Sequence, residues 1–152
     1  MNMFTEDDRH YISLLQENIN RMAANSANCK TWLVTLVAAI TALQLTAEDL
    51  RNILWIAPGL ILLFYCLDSY YLSLERKFIA LEKEFVSKAK ISSEEILTEG
   101  IYSFNINEVK DKRATFWSSL VSWSTWPFYL CLMLVALGIC LWPVFSRFYC
   151  GG

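Results

Sequence analysis

One acid stands out among the groups that could do chemistry. Asp68 directly follows an uncharged, largely apolar stretch, residues 52–67. A carboxylate at the centre of a bilayer costs roughly 2.5–3.5 kcal/mol on insertion scales, and less near an interface. Glu75 and Glu82 repeat its position at seven-residue steps, while Arg76, Lys83 and Lys90 form a parallel basic row. For Glu82 this is ordinary solvated charge at a helix surface. For Asp68 it predicts a buried partner, a Lys, Arg or Tyr from a neighbouring helix, with Glu75 and Arg76 continuing an intramembrane polar contact. Tyr65, Tyr70 and Tyr71 lie close by and could join Asp68 in a proton path.

Other chemistry is missing from the sequence. His10 is the single histidine, and no cluster has metal-ligand spacing. A Ser–His–Asp set would draw on unrelated surfaces, and there is no Gly-rich phosphate loop. Cys29, Cys66, Cys131, Cys140 and Cys150 form no CxxC pair, and three of them sit in apolar runs where cysteine serves as a small hydrophobe. The chain therefore reads as a non-enzyme without cofactor or metal. A formal net charge of −2 argues against nucleic acid as a partner.

The elements that must carry these residues are helices in lipid. Of the 152 residues, 55% are hydrophobic and 18% charged, a membrane composition. The central helix runs from Asn52 to Lys90, roughly 58 Å at full length and about twice the hydrocarbon core. Its first part, Asn52 to Leu67, is uncharged and its last, Glu75 to Lys90, is rich in Glu, Lys and Arg. One seam ignores that change: Phe64, Leu67, Tyr71, Leu74, Phe78, Leu81 and Phe85 alternate steps of three and four, the coiled-coil spacing. The seam packs either on the chain's own N-terminal helix or on another copy.

Around this stalk the sequence predicts an all-α membrane protein. Residues 1–29 form an amphipathic helix, N-capped by Thr5 with Glu6, Asp7 and Asp8 in its first turn and a bend at Asn25, Ser26 and Asn28. No cleavable leader is expected, because Met1 to Thr5 lacks a basic opening. Residues 30–47 are a first span, in which Thr31, Thr35, Ala38 and Ala42 make a small-residue stripe suited to close helix packing, or to lining a wet cavity. Residues 48–51 close a hairpin into a second span, 52–74, in which Pro58-Gly59 should kink the helix or loosen its backbone bonds. Residues 75–90 are its cytoplasmic extension.

A connection, 91–115, follows. It opens with a Ser92/Glu95 capping box, ends its short helix at Gly100, and carries either a short strand or an ordered loop through Tyr102, Phe104 and Ile106. A Trp-rich interfacial segment (116–126), a third span (127–146) started by Pro127, and a tail (147–152) complete the chain. Trp142, Phe145, Phe148 and Tyr149 form the second aromatic belt. Lys and Arg are densest after the second span, which puts the N-terminus and residues 75–113 in the cytoplasm and the C-terminus outside.

Two stretches carry a resemblance. Residues 21–26 with 30–39, and Leu67-Asp68-Ser69-Tyr70-Tyr71-Leu72 with Glu75-Arg76-Lys77-Phe78, resemble the RipA-like family of small oligomeric bacterial inner-membrane proteins. Ser103-Phe104-Asn105-Ile106 and Pro127-Phe128-Tyr129 are similar to its later landmarks. The hairpin with a charged helix also resembles two-span membrane effectors of anti-phage systems, from which the third span departs. The resemblance implies a homo-oligomer in the cytoplasmic membrane, ring-like in form, and no reaction. Expected partners are the lipid bilayer, further copies of the chain and a cytoplasmic protein. The expected role is a pore or membrane-perturbing effector in defence or stress, or a non-conducting scaffold that recruits through residues 75–113.

Overall fold

A computed structural model describes residues 5–46, 53–91 and 114–150, with side chains described except at 45, 89–91 and 142–150. Every element among them is helical: α1 (Glu6–Thr46), a 3-10 turn (Ile53–Ile56) leading into α2 (Ala57–Ile91), the short α3 (Phe116–Leu120) and α4 (Trp126–Cys150). The hairpin connection 48–51, the capping box at 92–95, Gly100, the strand or loop at 102–107 and the tail at 151–152 lie outside the described residues. So do the side chains of the second aromatic belt and of Lys90.

α1 starts at a reciprocal cap. The Asp8 N–H donates to the Thr5 hydroxyl at 3.2 Å, and the Thr5 N–H donates to the Asp8 carboxylate at 2.8 Å. Two otherwise orphaned backbone donors are satisfied, with acids at the positive helix end. The sequence predicts a bend at Asn25, Ser26 and Asn28; α1 carries α-helix through all three without a break. Ala23, Ala24 and Ala27 are strong helix formers at this point, and Ser26 finds a tertiary partner rather than competing for the backbone.

Pro58-Gly59 stands nearer the helix start than the sequence suggests. The α-helix begins at Ala57, so Pro58 sits in its first turn and not mid-helix. There its missing N–H breaks no intrahelical bond and its fixed φ suits the start. Pro127 occupies the same place in α4, directly after Trp126.

The chain divides into two compact units. The first takes Met1–Asn25 and Tyr70–Ser119. Its core joins Tyr11, Leu15 and Met22 of α1 to Phe78 and Phe85 of α2, with Ile12, Ile19, Tyr71, Leu74 and Leu81 packed around them. The Tyr11 and Phe85 rings lie 4.7 Å apart, and Gln16 donates to Glu82 at 3.0 Å, so the two helices run antiparallel here. At about 1.5–3 kcal/mol for each fully buried large apolar side chain, this contact outweighs the exposed Glu84–Lys88 pair at 2.7 Å.

The second unit takes Ser26–Ser69 and Leu120–Gly152. Leu33 and Val37 of α1, Leu54, Ala57 and Ile61, and Tyr129, Ala136 and Cys140 of α4 form its core. Outside that core the helices are uncovered: Val34, Leu36 and Leu43 on α1, Leu62, Leu63 and Leu67 on α2, and Leu130, Leu134 and Val135 on α4 are exposed. Two helices are long and apolar enough to cross a membrane, within Glu6–Gln44 and Ile53–Lys88. The apolar stretch of α4 with described side chains, Trp126–Leu141, is shorter.

Candidate functional site

The polar centre of the second unit forms where three helices meet on Asp68. The Asp68 side chain is fully buried. From α1, the Ser26 hydroxyl donates to Asp68 Oδ1 in a short hydrogen bond. One helical turn on, Lys30 Nζ pairs with Asp68 Oδ2 at 2.8 Å and donates to Ser26 Oγ at 3.2 Å. Ser26 and Lys30 share a face because residues four apart are neighbours on a helix. From α4, the buried Tyr129 hydroxyl is coupled electrostatically to the same carboxylate but makes no hydrogen bond of good geometry. The Tyr129 ring packs 5.2 Å from Tyr65, whose hydroxyl donates to the Leu120 carbonyl at 2.6 Å.

The charge inventory explains the pairing. The charged residues of the second unit are Lys30, Glu48, Asp49, Arg51, Asp68 and Arg147. Glu48, Asp49 and Arg51 fall in the hairpin connection and Arg147 close to the C-terminus. Lys30 and Asp68 are the two that border the apolar stretches, and they neutralise each other. A buried carboxylate with one cation and one hydroxyl donor is the arrangement that low-dielectric surroundings tolerate.

Ser26 and Lys30 also invite comparison with a Ser–Lys acyl-transfer dyad. The hydrogen bonds run the wrong way: the ammonium donates to Ser26 Oγ while the hydroxyl donates to Asp68. A general base must instead accept the nucleophile's proton. Ser26 also sits mid-helix, where neighbouring N–H groups are committed to the helix ladder and supply no oxyanion hole. The constellation holds helices together. No group of three metal-ligating side chains occurs among the described residues.

The other sequence-predicted residues separate into three groups. Arg76 donates to the Ser118 carbonyl at 3.5 Å, and both it and Glu75 belong to the first unit; Asp68 is met by Ser26 and Lys30. Of the seam, Tyr71, Leu74, Phe78, Leu81 and Phe85 pack on the chain's own α1 in the first unit. Phe64 lies against the core of the second unit, and Leu67 is 41% exposed. Thr31, Thr35, Ala38 and Ala42 are all exposed. They lie on the face of α1 opposite Ser26, Cys29, Leu33 and Val37, by the 100° step of the helix. The Thr31 and Thr35 hydroxyls donate to the Ala27 and Thr31 carbonyls, leaving that face without free polar groups.

Of the tyrosines considered for a proton path, Tyr65 is committed to Leu120 and Tyr70 is exposed. Sequence reasoning missed Tyr129, which stands beside the carboxylate instead. No protein-family model matches the chain, and no curated protein or solved structure matches it.

Proposed function

We propose that this is an integral protein of the bacterial cytoplasmic membrane, without catalytic activity, that works by assembling with copies of itself. The assembly conducts ions or perturbs the bilayer as a defence or stress effector, in line with the resemblance to small oligomeric inner-membrane proteins. The N-terminus and residues 75–113 face the cytoplasm, and the C-terminus faces the periplasm.

The observation that carries this reading is the contrast within the second unit. Its two charges bordering the apolar stretches are spent on each other, while large apolar side chains on all three long helices point away from the core. Exposed apolar side chains on three helices suit lipid or another membrane helix. The seam of the first unit is already closed by α1. Contacts between copies therefore fall to the uncovered faces of the second unit, among them the side of α1 with Thr31, Thr35, Ala38 and Ala42.

The decisive experiment is the mass of the particle in mild detergent and in native lipid discs, followed by ion flux from proteoliposomes. A multiple of the chain mass with flux supports the reading. A lone subunit in both media defeats it, and an oligomer that leaves vesicles sealed under every trigger defeats conduction.

A second reading is a non-conducting scaffold. It is favoured by the first unit, which closes on itself and keeps Lys83, Glu84 and Lys88 on an exposed face, as a docking module for a cytoplasmic protein would. Deleting residues 91–107 separates the two: activity lost with the oligomer intact indicates recruitment.

A further inference from the structure

The charges of the first unit are sorted by side on the part of α1 and α2 nearest the apolar runs. Gln16 bonds Glu82, and five residues nearer the apolar run on each helix stand Arg21 and Lys77. In an antiparallel pair of equal rise, five steps along each helix reach one common level. They also turn both positions by about 140° in the same sense, from the Gln16–Glu82 side to the opposite one. Glu75 stays behind with Glu82, seven residues away on the same face. Arg76 is drawn to the Ser118 carbonyl.

Two cations are thus left side by side. Arg21 is exposed and donates to Asn18 Oδ1 at 3.0 Å, which steadies the guanidinium without neutralising it. Lys77 is half-buried. Among the described residues neither lies within ion-pair distance of a carboxylate. Glu82 is taken by Gln16 and Glu84 by Lys88; Glu17 lies one turn behind Arg21, which bonds Asn18 instead. The same side carries Tyr70, seven residues before Lys77 and 51% exposed. It stands about 10 Å from Lys77 in the direction of the uncharged run 52–67.

This order of groups matches the end of a phospholipid. Tyrosine is favoured at the membrane interface, and long Lys and Arg stems carry their charge along apolar surface to the headgroup level. Basic sites between helices at the membrane surface select anionic headgroups. Resting on the membrane reading above, we propose that Arg21, Lys77 and Tyr70 form a binding site for the headgroup of an anionic phospholipid. The donors of Arg21 and Lys77 take the phosphate oxygens, and the Tyr70 ring lies against the glycerol and the upper chains. A zwitterionic headgroup carries its own cation beside the phosphate and is held less well. The bound lipid bridges α1 and α2.

The test is electron spin resonance of the full-length protein in phosphatidylcholine vesicles with a trace of spin-labelled phosphatidylglycerol or spin-labelled phosphatidylcholine. Lipid held at the protein gives a motionally restricted signal, and its share measures relative association. Each cation at an anionic surface is worth roughly fivefold. Averaged over all lipid positions around the protein, the phosphatidylglycerol label should still associate roughly threefold more strongly, and less so in about 0.5 M salt. Arg21→Gln with Lys77→Gln should remove at least half of that preference. Lys83→Gln, further from the apolar run and on another side of α2, should leave it in place. Equal association of the two labels, or a preference that the double variant keeps, overturns the proposal while leaving the membrane reading intact. Excess soluble glycerol phosphate should change nothing; if it abolishes the preference, the cations serve free phosphate and the lipid site is overturned. No restricted signal with either label overturns the membrane reading itself.

Discussion

Breaking the Lys30–Asp68 pair one side at a time should give unequal losses. Asp68 is fully buried and Lys30 keeps 25% of its side chain exposed. In Lys30→Leu the carboxylate stays in place with Ser26 as its remaining strong partner, and an uncompensated buried charge costs about 3–5 kcal/mol. In Asp68→Leu the lysine can swing its ammonium outward along its flexible stem. The loss is then mainly the Ser26 hydroxyl's acceptor, about 1–3 kcal/mol. Removing both charges with apolar residues should return stability to within about 1 kcal/mol of the parent, or above it. The double-mutant cycle therefore predicts a large coupling energy and an ordering in which Lys30→Leu is worse than Asp68→Leu. Reversible unfolding in mixed micelles, titrated with a denaturing detergent and followed by far-ultraviolet circular dichroism, measures all four species. Additive single losses, or a costlier Asp68→Leu, would refute the account of the site.

Three further outcomes follow from the same geometry. Phe85→Ala should destabilise the first unit by about 3–5 kcal/mol, as expected for a buried aromatic in a packed core; Leu67→Ala, on an exposed seam position, should leave the isolated chain within about 0.5 kcal/mol, so a loss of oligomer mass in that variant would place Leu67 between copies. Burial, and after it the charge of Glu84, hold the Tyr11 hydroxyl above its ordinary pKa of 10.0. The folded state thus prefers the neutral phenol: its contribution is complete below the unfolded value and is lost as pH rises through the higher folded one. Thermal melts from pH 9 upward should show a loss that Tyr11→Phe reduces. Gly138 has open space around an added Cβ, so Gly138→Ala should stabilise α4 by about 0.5–1 kcal/mol in the single chain; a fall in oligomer mass instead would mean that a neighbouring copy approaches this glycine closely.

The sequence made the helices and the uniqueness of Asp68 legible, because both depend on local patterns. The 3–4 seam is a property of α2 alone; its Tyr71, Leu74, Phe78, Leu81 and Phe85 pack on α1, Phe64 lies against the core of the second unit and Leu67 is exposed. Its partner was not legible: a seam from Tyr71 to Phe85 fits α1 of the same chain as readily as another copy, and only the antiparallel match of Tyr11 to Phe85 and Gln16 to Glu82 decides it. Asn25, Ser26 and Asn28 are helical for a related reason. Their low helix propensity is a weak local term, and the tertiary bond from Ser26 to Asp68 overrides it.

The partner of Asp68 was within reach of counting. Lys30 is the one charge between Arg21 and Glu48, and Asp68 the one charge between Arg51 and Glu75. Measured from the hairpin connection, Lys30 lies 18 residues before Glu48 and Asp68 lies 17 residues after Arg51. Two antiparallel helices of equal rise bring such positions to one level, and two opposite charges at one level of an apolar hairpin have every electrostatic reason to pair. Counting supplies the level but not the azimuth. Whether the two side chains face each other depends on how α1 and α2 are rotated about their axes, and that rotation is fixed by the core of Leu33, Val37, Ala57 and Ile61 and by α4 packing against them. The pair is thus a consequence of apolar packing as much as its cause, which is why replacing both charges with leucine should leave the helices in register, whereas replacing Lys30 alone strands a buried carboxylate and costs stability.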